Sequence, residues 1–123
     1  MLEKIMDILL VDDAESVRKN ITRLIRSEVS AVNIFEAVNC SDALEQLEIR
    51  SYDLVLLDIR LPDGSGFELM EKIKSSDPLP VVLFISNFTG ENFRRRAFDL
   101  GAHGFFDKTS EIDELLVRIR SMV

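Results

Sequence analysis

The sequence predicts an α/β domain: a five-stranded parallel sheet with helices on both faces. Three observations carry this. Five short apolar runs alternate strictly with five segments of helical period. Three of the runs are apolar throughout, as strands buried on both faces of a parallel sheet are. The length, 123 residues, suits one domain rather than two, with enough chain for a real core.

The first strand is Ile8-Leu9-Leu10-Val11, and a helix follows with apolar residues Val17, Ile21, Leu24 and Ile25 at i, i+4, i+7 and i+8. Ile34-Phe35-Glu36-Ala37-Val38 is the second strand. Leu44 and Leu47 mark a shorter helix, with Ser41 as its expected N-cap. Leu54-Val55-Leu56-Leu57 is the third strand, and Leu69, Met70 and Ile73 form the next helical stripe. Asp77-Pro78-Leu79-Pro80 reads as a turn into the fourth strand, Val81-Val82-Leu83-Phe84-Ile85. Phe93, Ala97 and Leu100 then mark a helix that ends at Gly101 as a C-cap. Gly104-Phe105-Phe106 is the fifth strand. Ile112, Leu115, Leu116 and Ile119 form the last helix, opened by the capping-box pattern Ser110-Glu111-Ile112-Asp113. Strict alternation with right-handed crossovers gives an open sheet, and the flavodoxin-like strand order 2-1-3-4-5 is the expected topology.

Composition narrows the function classes. Apolar residues make up 46% and charged residues 30%, an ordinary globular balance. Fifteen Lys and Arg against 22 Asp and Glu give 15 − 22 = −7. So acidic a surface disfavours direct nucleic-acid contact and anionic membranes. Apolar runs of about 5 residues fall far short of the ~20 that a spanning helix needs. Met1-Leu2-Glu3-Lys4 lacks the long apolar stretch expected of a signal peptide. A cytoplasmic protein is the expectation, with residues 1–123 as one domain.

The polar residues that matter sit where the strands end. Asp12 and Asp13 follow the first strand, Asp58 the third, Ser86 the fourth, and Lys108 the fifth. Open α/β sheets bind ligands outside the carboxyl ends of their strands, where the strand order reverses. In the order 2-1-3-4-5, strands 1 and 3 are neighbours there, so Asp12, Asp13 and Asp58 should share one crevice. A lone acidic residue after a strand is ordinarily a turn or cap residue; five suitable residues at four strand ends are not explained that way. Three carboxylates repel unless a cation intervenes. With no His or Cys cluster beside them, the all-oxygen set suits Mg²⁺ better than Zn²⁺. A carboxylate beside Mg²⁺ and a lysine can attack phosphorus and form an aspartyl phosphate.

These residues carry a resemblance. Ile8-Leu9-Leu10-Val11-Asp12-Asp13, Asp53-Leu54-Val55-Leu56-Leu57-Asp58, the loop Leu61-Pro62-Asp63-Gly64-Ser65-Gly66, and Gly101-Ala102-His103-Gly104-Phe105-Phe106-Asp107-Lys108 together resemble the receiver domains of two-component response regulators. The resemblance implies that Asp58 is the phosphoacceptor. It implies that Asp13, Asp58 and the backbone carbonyl of Arg60 hold Mg²⁺, with Asp12 acting through bound water. Ser86 would be the hydroxyl that moves toward the phosphoryl group, Lys108 the lysine that pairs with it, and Phe106 the aromatic that turns inward in response. The implied donor is a phosphohistidine on a sensor histidine kinase or phosphotransfer protein. The implied readout is the face made by the fourth helix, fifth strand and fifth helix. The effector is expected in another chain, or in an output domain outside this sequence.

Two positions depart from that pattern. Thr109 follows Lys108 where the family usually has proline in a cis bond. A non-proline cis bond costs ~3–4 kcal/mol, so either the bond is trans and Lys108 is placed differently, the favoured expectation, or the fold stabilises a strained cis bond. Asn87 follows Ser86 where a small residue is usual, and could narrow access to Asp58. These departures keep a second reading open, a pseudo-receiver that binds partners without phosphorylation. A third, a Mg²⁺-dependent phosphohydrolase, would want an acid two residues after its nucleophile, where this chain has Arg60. Arg60 and Phe88, at the expected mouth of the site, are read as shielding the phosphoryl group from water.

The remaining candidates are plainer. His103, the only histidine, reads as a solvated loop residue. Arg94-Arg95-Arg96 reads as a solvated helix face, with partner recognition as its functional alternative. Cys40 reads as a small boundary residue and Phe105 as core.

Overall fold

The structure, a computed structural model, describes residues 4–123; Met1, Leu2 and Glu3, the start of the expected domain and of the segment tested for a leader, lie outside the described residues. Strand β1 spans Met6–Val11, β2 Val32–Ala37, β3 Leu54–Leu57, β6 Val81–Ser86 and β7 Gly104–Asp107. They form one parallel sheet in the order β2-β1-β3-β6-β7. Two-residue strands β4 (Arg60–Leu61) and β5 (Gly64–Ser65) pair only with each other, antiparallel. With that hairpin set aside, the order is the expected 2-1-3-4-5.

Alternate residues of each strand feed two cores, as the twofold period of a strand requires. Leu9, Val11, Val55, Leu57, Val82, Phe84 and Phe105 face α2 (Cys40–Ile49), α3 (Gly66–Ile73) and α4 (Glu91–Asp99). Met6, Ile8, Leu10, Leu54, Leu56, Leu83 and Ile85 face α1 (Glu15–Glu28) and α5 (Ile112–Arg120). The helical stripes read from the sequence supply the other half of each core: Ile21, Ile25, Leu115 and Ile119 on one side, Leu69, Met70, Ile73 and Ala97 on the other. Among the described residues, no helix is long and apolar enough to cross a membrane.

Three helix ends were tested by the structure. Gly101 has φ +100°, the left-handed conformation expected of a C-cap. The N-cap of α2 is Asn39, not Ser41: Asn39 accepts from the Asp42 N–H at 2.8 Å. Ser41 lies inside the first turn, where Asp63 takes the Cys40 and Ser41 N–H groups at 2.7 and 3.0 Å. The capping box at Ser110 does not form either. The Asp107 carboxylate accepts from the Thr109 and Ser110 N–H groups, so Ser110 belongs to the preceding turn and α5 starts at Ile112 without a side-chain cap.

Candidate functional site

The parallel register brings the ends of β1 and β3 level, pairing Val11 with Leu57. The next residues, Asp12 and Asp58, therefore leave the sheet side by side. The Asp58 N–H still donates to the Val11 carbonyl at 3.0 Å. Asp12 is fully buried, and Asp58 is 5% exposed. Asp13 is exposed, yet carboxylate oxygens of Asp12, Asp13 and Asp58 all lie within 4.8 Å of one another.

Lys108 closes the cluster from β7. Its Nζ donates to Asp12 Oδ2 at 2.8 Å and to Asp58 Oδ2 at 2.9 Å. The expected displacement of Lys108 does not occur. The bond to Thr109 is trans, as expected, but the Lys108 N–H is held by the Ser86 carbonyl at 3.1 Å and the following turn is held by Asp107. These two restraints aim the side chain without a proline.

Electrostatics follow from this packing. Burial pushes the Asp58 carboxyl up to about 6, the hydrogen bond from Lys108 opposes that shift, and the neighbouring Asp12 charge adds to it. Burial alone would lower Lys108, but the hydrogen bonds to Asp12 and Asp58 outweigh it and hold the ammonium above its usual range. Three carboxylates against one ammonium leave 1 − 3 = −2 when all are ionised. That deficit fits a divalent cation, and the oxygen-only donor set fits a hard one.

The other oxygens of the site are already oriented. Asp12 Oδ1 accepts from the Ala14 N–H and Asp58 Oδ1 from the Ile59 N–H, both at 2.8 Å. Ser86 is fully buried, and its Oγ accepts from the Phe88 N–H at 2.8 Å. Phe106 is half-buried against the α1/α5 core. Gly104 leaves room for its ring, because a Cβ there would sit 2.8 Å from a Leu83 methyl and 3.0 Å from the Phe106 ring. The Arg60 guanidinium lies 4.2 Å over the Phe88 ring, joining the two residues read as flanking the mouth.

Two contributors escaped the sequence reading. Gly66 packs so tightly under the site that a Cβ would overlap the Asp58 carbonyl oxygen. The signal was the second glycine of the Leu61–Gly66 loop. Arg18 donates to the Asp12 carbonyl at 2.9 Å and to Glu36 at 2.7 Å, tying α1 and β2 to the end of β1. No local pattern marks that role.

Among the plainer candidates, His103 and the arginine run gain partners, while Cys40 and Phe105 stand as read. His103 is exposed but not free of partners: its Nδ1 accepts from the Val82 N–H at 3.0 Å. The arginine run is largely spoken for. Arg94 lies over Phe105, donates to the Phe105 carbonyl and pairs with Glu111; Arg95 pairs with Glu91; Arg96 lies over Phe67. Cys40 is half-buried and unpaired, its thiol pushed up to about 11 by burial and by the nearby Asp63 charge. Phe105 is core, stacked on Phe84.

Comparison with known proteins points to one family. Residues 8–120 match the model of the response regulator receiver domain. The cell cycle response regulator CtrA of Brucella ovis is 28% identical over 118 residues, 96% of this chain. The chain spans about half the length of the CtrA relatives it matches. A LuxR-family two-component response regulator from Aurantimonas sp. has a similar structure, with TM-score 0.86 and 29% identity over 97% of this chain and 85% of that one. The receiver domain of the putative response regulator NarL from Mycobacterium tuberculosis gives TM-score 0.84 and 28% identity over 98% and 97% of the two chains.

Proposed function

From the premise that this chain belongs to the response regulator receiver domain family, we propose that it is a switch set by phosphorylation of Asp58. The observation that carries the reading is the Lys108 ammonium, shared between Asp12 and Asp58 in a crevice that also collects Asp13.

Asp12, Asp13, Asp58 and the Arg60 backbone carbonyl would hold Mg²⁺. When bound, the ion neutralises carboxylate charge and the charge on an incoming phosphoryl group. An Asp58 carboxylate oxygen attacks phosphorus; the O–P bond forms as the P–N bond of a donor phosphohistidine breaks, and the electron pair leaves with the imidazole. Lys108 turns from its carboxylate partners to pair with the transferred group. Ser86 gives up the Phe88 N–H and donates its hydroxyl to a phosphoryl oxygen. The vacated space is then open to Phe106, and the α4–β7–α5 face changes with it. A local charge thus biases a two-state element. Hydrolysis at Asp58 resets the switch, and no foreign substrate is turned over.

The donor is a sensor histidine kinase or phosphotransfer protein in the cytoplasm. The target is an effector protein or an attached output domain, with no direct nucleic-acid or membrane contact by this domain. The phosphorylation-independent alternative rests on the departures at Thr109 and Asn87; the contact of Lys108 with Asp58 answers the first of these and favours the phosphorylated switch. Incubation with Mg²⁺ and a small phosphodonor such as acetyl phosphate, followed by peptide mapping after borohydride trapping, tests this. Label at Asp58 is the expected result; label elsewhere, or none, overturns the reading.

A further inference from the structure

The two residues that depart from the family pattern touch each other. Thr109 Oγ1 donates to Asn87 Oδ1 at 3.1 Å. Asn87 directly follows Ser86, and Thr109 directly follows Lys108. Their bond therefore joins the residue after the end of β6, whose last residue carries the hydroxyl, to the segment after β7 that carries the ammonium.

We propose that Asn87 and Thr109 are positioning residues that form a clasp, setting Ser86 and Lys108 at the separation needed to contact one phosphoryl group. The inference rests on the reading of Asp58 as phosphoacceptor. One restraint on this separation is already in the backbone, from the Lys108 N–H to the Ser86 carbonyl at 3.1 Å. The β6/β7 ladder holds the chains as far as the Ser86–Asp107 pair; beyond it this single hydrogen bond is a pivot about which the two chain ends can still rotate. The clasp is a second tie, one residue further along each chain, and two ties fix an orientation.

The surroundings leave the Thr109 hydroxyl available for this role. The Thr109 N–H is satisfied by Asp107 Oδ1 at 2.7 Å, and the Ser110 N–H by the same oxygen at 3.0 Å. The Asp107 N–H is taken by Glu111 Oε1 at 2.9 Å. The turn after Lys108 is thus held from within, and the hydroxyl is the group it extends to the neighbouring loop. Turning the Ser86 Oγ away from the Phe88 N–H requires only side-chain rotation and does not by itself break the clasp. While Lys108 is bonded to Asp12 and Asp58, those charged contacts hold it. Once it must turn to a phosphoryl group, loop orientation decides whether it and Ser86 reach the same one.

The test uses beryllofluoride, a phosphoryl mimic, and Mg²⁺, each titrated by calorimetry. Wild type and Asp58→Asn first report on the site: mimic binding lost in Asp58→Asn upholds the reading beneath the proposal, and absence of binding in wild type overturns that reading. Given wild-type binding, Thr109→Val should weaken the mimic by about three- to tenfold, the range of one hydrogen bond. Affinity for Mg²⁺ alone should not change, because the carboxylates do not touch the clasp. Thr109→Ser should restore mimic binding. Asn87→Ala should weaken it similarly, and the double variant should be no worse than the weaker single one. Mimic binding by Thr109→Val equal to or tighter than wild type overturns the clasp, as do additive losses in the double variant.

Discussion

Lys108 Nζ lies 2.9 Å from Asp58 Oδ2 and 2.8 Å from Asp12 Oδ2, with a trans peptide bond following the lysine. The lysine is thereby the only cation in direct contact with two nearly inaccessible carboxylates among the described residues. Removing one partner from such a group leaves uncompensated charge, at a cost of about 3–5 kcal/mol when the group is buried. Lys108→Met should therefore lower unfolding free energy by about that much in urea titrations at neutral pH. Adding Asp58→Asn should recover part of the loss by removing one of the repelling charges. A Lys108→Met protein as stable as wild type contradicts this view of the site.

Gly66 makes a second, purely steric demand. Its Cα faces the Asp58 carbonyl, and its N–H donates to the Ile59 carbonyl at 2.7 Å. Gly66→Ala must displace backbone rather than a flexible side chain. Overpacking of this kind costs about 1–3 kcal/mol, and here it shifts Asp58 as well. Reduced stability together with weaker Mg²⁺ binding is expected. Unchanged values for both contradict it.

The sheet and the acidic crevice could be read in advance because each rests on a local signal. Apolar runs such as Leu54–Leu57 became the sheet interior, and Asp12, Asp13, Asp58 and Lys108 followed from where strands end. What escaped depended on contacts distant in sequence. Ser41 and Asn39 are both competent caps, and the choice between them was made by Asp63, more than 20 residues on, which claims the N–H of Ser41. Arg18 reaches the Asp12 carbonyl only because α1 folds back over the end of β1. The displacement expected for Lys108 failed for a similar reason. It weighed one peptide bond and not the Ser86 carbonyl and Asp107 carboxylate that hold the loop.

Arg60 and Phe88 meet as a cation–π pair, with 4.2 Å from guanidinium carbon to ring centroid. The pair ties the two side chains to each other, and the proposal that they hinder a water attacking the phosphoryl group makes a prediction. The aspartyl phosphate of an Arg60→Ala, Phe88→Ala double variant should decay several-fold faster than that of wild type. Equal or slower decay removes the shielding role.

Asp107 gives a pH signature separate from the proposed phosphorylation site. Hydrogen bonds from the Ser110 and Thr109 N–H groups hold its carboxyl below the usual 3.8. A depressed folded value means that the folded state binds the proton more weakly. The stabilisation is complete above the unfolded value and disappears as pH falls through the folded one, in the range below about 4. Asp107→Asn should be less stable than wild type at neutral pH, and the gap should narrow on acidification below that range. A gap that stays constant with pH contradicts the assignment.

The most direct test of the switch is binding of beryllofluoride in the presence of Mg²⁺, followed by amide NMR. The wild-type chain should bind and shift resonances around Ser86, Phe106 and Lys108 and along α4 and α5, while Asp58→Asn shows none of these changes. Absence of binding in wild type, or the same shifts in Asp58→Asn, would contradict a phosphoryl switch centred on Asp58.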